Sequence, residues 1–354
     1  MSERMVESKQ RFRTRYRLGP GALSELRDHL ELASARVPIL ADRKVWQIYG
    51  DAVTAALAPL ATTVVFLDGE EEKRLQAVER VVAELSHSRV HRRETLVVLG
   101  GGVCCDVGGM ISLLYMRGMS YVIVATTLMA QLDAAIGGKV GCNAADRKSL
   151  LGGFHHPELV LIDPTFLRTL PTRHLRAALA EAVKLDLLLP ELEIEPLLDS
   201  ALDGEETALT ELAQRCLDGK LALLQDDPFE TDLRRPLNLG HAVAHALEAM
   251  PESTLLHGEA VAVGLAATAR YAELKGICNP THAAAIIARL ERLGLPVRTS
   301  GDSRELRARL EQIGDHRGGK IHLVVPAGEA GTQICESCDF HLLADCAHGS
   351  LVVQ

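Results

Sequence analysis

Thr95-Leu96-Val97-Val98-Leu99-Gly100-Gly101-Gly102-Val103-Cys104-Cys105-Asp106-Val107-Gly108-Gly109 is the stretch on which the fold turns. Its first five residues read as a short buried strand. They run into three glycines that open a helix. Glycines at such a turn let the backbone approach a pyrophosphate, and the unpaired N–H groups of a helix start favour its negative charge. The spacing is not Gly-x-Gly-x-x-Gly, so the standard dinucleotide fingerprint is absent. A tight strand-to-helix turn is an equal reading of these residues alone.

Val37–Leu40, Thr63–Leu67 and Tyr121–Val124 also read as strands, with amphipathic segments such as 75–87 between them. Strand alternating with helix predicts a parallel sheet covered on both faces. From about residue 172 the pattern changes. Segments 173–189, 205–225, 238–250, 257–276, 281–293 and 303–313 carry apolar residues at helical spacing, and Lys320–Val325 reads as a late strand. The boundary is expected near Pro164–Pro171.

The 354 residues, 47% of them apolar, predict two domains. A net charge of −9 gives no basic footprint for nucleic acid. The N-terminal residues lack the apolar run of a signal peptide, and the apolar region 110–136 contains Arg117 and Gln131. The expectation is a cytoplasmic protein with no membrane span. Eight cysteines do not make a disulfide scaffold. Cys335, Cys338, His341, Cys346 and His348 lack a usual zinc-ligand spacing and read as scattered residues of a tail.

Four further constellations carry chemistry. Gly69-Glu70-Glu71-Glu72-Lys73 is, taken alone, a solvated turn. Thr126 and Thr127 follow a strand and can offer hydroxyls to a ligand, with Asp133 and Lys139 flanking a glycine pair; an N-cap and an ordinary ion pair is the plainer reading. His241 and His245 share one helical face at i and i+4, His257 opens another helix, and Glu181 offers a carboxylate. Two imidazoles and a carboxylate with open positions suit a catalytic divalent cation. Lys184, Lys220, Arg234 and Arg235 are cations suited to phosphate or carboxylate, or simply helix-surface charge.

Taken together, residues 37 to 326 resemble the 3-dehydroquinate synthase family of sugar phosphate cyclases, whose motifs occur here in order. The family's Gly-Glu-x-x-Lys is similar to Gly69–Lys73, its glycine run ending in Asp to Gly100–Asp106, and its paired threonines to Thr126 and Thr127. Its Phe-Leu-x-Thr-Leu-Pro is similar to Phe166–Pro171. The resemblance implies an N-terminal Rossmann-like α/β nucleotide-binding domain over 1–170 and a mainly α-helical, metal- and substrate-binding domain over 171–354. It assigns NAD contacts to Asp42, Glu70, Lys73, Gly101, Gly102, Val103, Asp106, Thr126, Thr127, Asp133, Lys139, Lys148, Phe166 and Thr169. It assigns a Zn or Co ion to Glu181, His241 and His257. Substrate contacts fall on Arg117, Asp133, Lys139, Lys184, Lys220, Glu230, Arg234, Asn238 and His245.

Three positions depart from the family pattern. Ser149 stands for Asn after Lys148, Asp315-His316-Arg317 stands for Asp-Lys-Lys, and Ala125 stands for Pro. The implied reaction is transient oxidation of a ring hydroxyl by NAD, phosphate elimination, return of the hydride, ring opening and aldol closure, with no net redox change. His245 is the implied proton shuttle; Lys139, Arg117 and His316 would hold phosphate, and Lys220 and Arg234 a carboxylate. Those two cations favour a keto-acid phosphate and 3-dehydroquinate as product, in the setting of the shikimate pathway. Ser149 and His316 favour instead a cyclase of secondary metabolism acting on sedoheptulose 7-phosphate. A metal-dependent polyol dehydrogenase and a non-enzymatic binding module are the rival classes, and a homodimer is the expected assembly.

Overall fold

The computed structural model describes residues 12–30, 36–145, 147–225, 227–232, 235–316, 322–328 and 331–349. In chain order the N-terminal part runs β1 (Arg15–Leu18), α1 (Glu25–Leu30), β2 (Arg36–Asp42), α2 (Arg43–Leu57), β3 (Ala61–Leu67), α3 (Leu75–His87), β4 (Leu96–Gly100), α4 (Gly102–Leu114) and β5 (Tyr121–Ala125). A hairpin of β6 (Lys139–Ala144) and β7 (Arg147–Phe154) and a last strand, β8 (Leu159–Ile162), complete it. Six strands pair in parallel in the order β1-β8-β5-β4-β2-β3. Strands β4, β5 and β8 are buried at every residue, because helices cover both faces and no alternation is needed. The chain builds outward from β2 to β3, then crosses to β4, β5 and β8. Direction therefore reverses between β2 and β4, and the crevice beyond their C-terminal ends is where a doubly wound sheet binds ligands.

The C-terminal part is helical: α5 (Thr172–Leu188), α6 (Leu198–Leu202), α7 (Glu206–Leu224), α8 (His241–Glu248), α9 (His257–Leu274), α10 (Pro280–Arg292) and α11 (Ser303–His316). The antiparallel pair β9 (Leu323–Pro326) and β10 (Thr332–Cys335) and then α12 (Phe340–His348) follow. Helix α9 is its spine. Gly258 and every residue from Ala260 to Ala272 are buried, so this helix is covered on all sides, which its run of Ala, Gly and Val permits. Among the described residues no helix is long and apolar enough to cross a membrane.

The expected strands and long helices are present within a few residues of their anticipated limits. Features not anticipated include the edge strand β1, the strand β8, the β6–β7 hairpin, which lies beside α4 rather than in the main sheet, and β10 and α12, where the stretch read as a tail of scattered thiols is packed structure with Cys346 buried. The described part of the late strand begins at Leu323; Lys320 and Ile321 lie outside the described residues.

Candidate active site

Close backbone packing brings three ligand-bearing residues together. Glu181 lies in the middle of α5. One turn earlier, the Ala177 carbonyl packs against Gly258 of α9 so closely that any Cβ on Gly258 would collide with it. Gly264, further along α9, meets the Gly240 carbonyl in the same way. Gly240 itself is left-handed at φ +77° and turns the chain into α8, whose first residue is His241. These contacts set His241 and His257 beside Glu181. Donor atoms of the three residues all lie within 4.8 Å of one another, the one such group among the described residues.

The ring nitrogens divide their roles. His241 Nδ1 lies 3.1 Å from the Leu239 carbonyl, and His257 Nδ1 lies 3.3 Å from both Glu248 carboxylate oxygens. Each acceptor favours a proton on Nδ1, so Nε2 is the nitrogen turned toward Glu181. Both Nε2 atoms face Glu181 Oε1, at 3.6 Å and 3.5 Å. The start of α9 is held as well. Glu259 accepts from Leu256 N at 2.9 Å and is clamped by Arg173 at 2.7 Å. Two imidazole nitrogens and one carboxylate converging in this way fit a divalent cation whose remaining coordination positions substrate oxygens could fill.

Electrostatics agree with that fit. Glu181 is buried, yet the adjoining Lys184 ammonium and the two imidazoles hold its carboxyl well below the usual range. Burial, then the Lys184 charge, push His241 down to about 3, so it stays neutral. Burial opposes a charge on His257 too, but Glu181 and Glu248 outweigh it and lift this residue to about 10. Glu248 falls to about 2 against the cost of its burial, chiefly through His257. An excess of negative charge around one imidazole is what a cation would neutralise.

Beyond Lys184, charges of opposite sign alternate. Lys220 on α7 donates to Asp133 Oδ1 at 2.5 Å and to the Asp133 carbonyl at 2.7 Å. Asp133 belongs to a one-turn π-helix over Ala130–Ala134, a distortion often found at functional sites. Burial raises its pKa but Lys220 lowers it more, to about 2. Lys139 forms its ion pair with Glu230, which Arg235 also holds at 3.0 Å. Glu230 takes a left-handed φ of +46°, a strained backbone for glutamate. Asp133 and Lys139 thus belong to separate ion pairs, which corrects the plain reading of the two as one.

The glycine turn lies at the strand-order reversal. The N-terminus of α4 at Gly102 has no side-chain cap, so its N–H groups are open to an anion. A Cβ on Gly101 would come 2.9 Å from the Thr127 side chain, leaving a cradle only glycine provides. The Thr126 hydroxyl is buried without a hydrogen-bond partner. Lys73 pairs with Asp106 at 2.5 Å, and Lys148 pairs with Glu70. An uncapped helix start, an orphaned hydroxyl and two lysines fit a dinucleotide pyrophosphate and its ribose.

Other expected residues are placed as follows. Asp42 ends β2 and caps α2, accepting from Lys44 N and Val45 N at 2.9 and 3.1 Å. Val103 packs on the core, and Phe166 is itself a buried core residue. Thr169 Oγ1 lies 2.7 Å from the Tyr49 hydroxyl. The His245 ring stands 5.5 Å from His241 and 6.4 Å from His257, centroid to centroid. Asn238 is half-buried in the turn that leads to Gly240. Arg117 is exposed and left-handed at φ +66°, beyond the far end of α4, roughly 20 Å along the axis from Gly102. Arg234 and the side chain of His316 lie outside the described residues.

Three residues were missed. Glu248 supports His257. Asn143 accepts from Ser149 N at 2.9 Å and donates to Glu70 at 3.3 Å, tying the hairpin to the Gly69–Lys73 turn. Arg173 clamps α9. For Glu248, the hint was its place on the helix that already carries His241 and His245.

Profiles of the N-terminal and C-terminal regions of 3-dehydroquinate synthase match residues 63–177 and 178–314. The chain belongs to the 3-dehydroquinate synthase family. It is therefore an enzyme of the sugar phosphate cyclase type, which sets aside the dehydrogenase and binding-module readings. Within the family it is similar to the 2-epi-valiolone synthase of Stigmatella aurantiaca, with 39% identity covering 87% of this chain and 81% of that one. It is also similar to the 3-dehydroquinate synthase of Pelotomaculum thermopropionicum, with 36% identity covering 78% and 77%. Among solved structures it resembles the 2-epi-5-epi-valiolone synthase of Streptomyces hygroscopicus subsp. jinggangensis, which has NAD+ and Zn2+ bound. The TM-score is 0.90 at 30% identity, over 97% of this chain and 98% of that one.

Proposed function

We propose that this cyclase closes a neutral seven-carbon ketose phosphate, with sedoheptulose 7-phosphate as the test substrate, into a carbocycle with release of phosphate. The observation that carries the choice is the state of Lys220. The ammonium expected to meet a substrate carboxylate is buried and already engaged by both the carboxylate and the carbonyl of Asp133. A second carboxylate there would compete with a resident one, whereas a hydroxymethyl group needs no counter-charge. The similarity to two valiolone-type synthases supports the same choice. The keto-acid reading rests on Arg234, whose planar fork suits a carboxylate.

Glu181, His241 and His257 would hold a divalent cation, Zn or Co, and the Gly100–Asp106 turn with Thr126, Thr127, Lys73 and Lys148 would hold NAD. When bound, these supply a temporary hydride acceptor and a Lewis acid at the hydroxyl being oxidised. The chain's own residues do the rest. His245 takes and returns the hydroxyl proton. Lys184 keeps Glu181 ionised and so keeps the ligand set anionic. Lys139, whose side chain is half exposed beside Glu230 while that of Lys220 is buried, orients the phosphate end together with Arg235. A homodimer belongs to this proposal, and light scattering checks it.

A competition assay tests the reading. Equal concentrations of sedoheptulose 7-phosphate and the seven-carbon keto-acid phosphate, with catalytic NAD, are followed by mass spectrometry of the carbocycle. Preferential cyclisation of the neutral sugar is expected, with no net build-up of NADH. Preferential formation of 3-dehydroquinate would overturn the substrate assignment, and stoichiometric NADH would overturn the cyclase chemistry.

A further inference from the structure

We infer that Glu248 is a positioning residue for the cation ligand His257, a role that rests on the cation-centre reading above. Glu248 ends α8, the helix that begins with His241, and its side chain is almost wholly buried. Both of its oxygens lie 3.3 Å from His257 Nδ1. The equivalent nitrogen of His241 meets only a neutral backbone carbonyl. The two imidazoles are thus supported unequally. A carboxylate on Nδ1–H fixes the ring plane and the tautomer and makes Nε2 the stronger donor. A carbonyl orients the ring without adding charge.

The chain gives His257 special need of such support. His257 is the first residue of α9, with Leu256 in extended conformation before it, so its backbone has helix on one side only. Glu259 and Arg173 fix the backbone at this point, but neither touches the ring. The ring is held by Glu248 alone on one edge and by Glu181 on the other. Glu248 also stands within electrostatic reach of His245, Lys148 and Lys73.

The test measures cation affinity of the full chain, free of bound metal at the start, by competition with a chromophoric chelator for Zn2+ and Co2+. Glu248→Leu keeps volume and removes the acceptor; Glu248→Gln keeps an acceptor oxygen and removes the charge. The Leu variant is expected to bind 10–100-fold more weakly and to alter the visible bands of the Co2+ form. The Gln variant should fall between it and the parent. Parental affinity and parental Co2+ bands in a Leu variant with native circular dichroism would overturn the inference. Should the Leu variant fail to fold, parental affinity in the Gln variant would overturn it instead. His257→Ala separates the two levels of argument. If it too binds cations as the parent does, the cation centre itself is wrongly placed; if it loses them while Glu248→Leu does not, only the role of Glu248 fails.

Discussion

Gly258→Ala adds one methyl group, and the structure sets what it would do. A Cβ on Gly258 lies 1.8 Å from the Ala177 carbonyl oxygen, whereas real Cβ atoms essentially never come within 3.0 Å of a neighbour, so α9 must retreat from α5 by about 1.2 Å. The obstacle is backbone in the middle of a helix and cannot rotate away. His257 precedes Gly258 directly and moves with it, while Glu181 stays on α5. Metal–ligand distances tolerate about 0.2 Å, so the shift exceeds the tolerance about sixfold. Overpacking of this kind costs about 1–3 kcal/mol in stability, and a misplacement near 1 Å costs on the order of 100-fold in rate. We expect a folded protein, modestly destabilised in urea, with weakened Zn2+ binding and turnover reduced by about two orders of magnitude. Metal titration and steady-state assays on one preparation measure both. A Gly258→Ala protein with parental cation affinity and turnover would refute the claim that backbone contact between α5 and α9 sets the triad.

Lys184→Met leaves Glu181 buried without its partner, which costs about 3–5 kcal/mol for such a pair. Saturating Zn2+ should restore most of that loss by supplying the missing positive charge; equal destabilisation with and without metal in urea melts would contradict this. His156 is held near 4 by burial, below its ordinary 6.5, with the charge on His155 adding to the effect. Folding thus favours its neutral form: the stability it contributes is complete above about pH 6.5 and is lost as pH falls through 4. His156→Phe, which keeps the stack on Phe12, should flatten the fall in denaturation midpoint over that window, and an unchanged slope would exclude His156 as its source. Chelation should abolish turnover and Zn2+ or Co2+ should restore it, whereas full activity of His257→Ala in metal-free buffer would remove the cation from the reaction.

Much of this was legible in the sequence, for physical reasons that differ by element. Strands β2, β4 and β5 declare themselves because a parallel sheet buried on both faces demands unbroken apolar runs. Arg15-Tyr16-Arg17-Leu18 of β1 does not, since an edge strand can carry arginines outward. The β6–β7 hairpin was hidden by its glycines. Gly141 and Gly152 pack backbone against backbone, leaving no apolar alternation to read. Glu181, His241 and His257 were found through residue types that few other roles explain. Their supports were not: Glu248 lies nine residues from His257, and Asp133 lies 87 from Lys220. No local spacing encodes such pairs, and weighing Lys220 as an unengaged anion partner followed from that blindness.

Under the proposed reaction the alternating charges have a kinetic consequence. Lys220 shares Asp133, and Lys139 with Arg235 shares Glu230. A pocket of unshared cations would seize any phosphate and release it slowly. Here an arriving anion gains a lysine only by displacing a carboxylate that is tethered beside it and ready to return. Attraction is capped from the start, and the cap applies equally to the inorganic phosphate that the proposed reaction sets free. In that reaction the carboxylates would act as built-in eluents, exchanging places with the leaving group so that the site clears itself for the next turn.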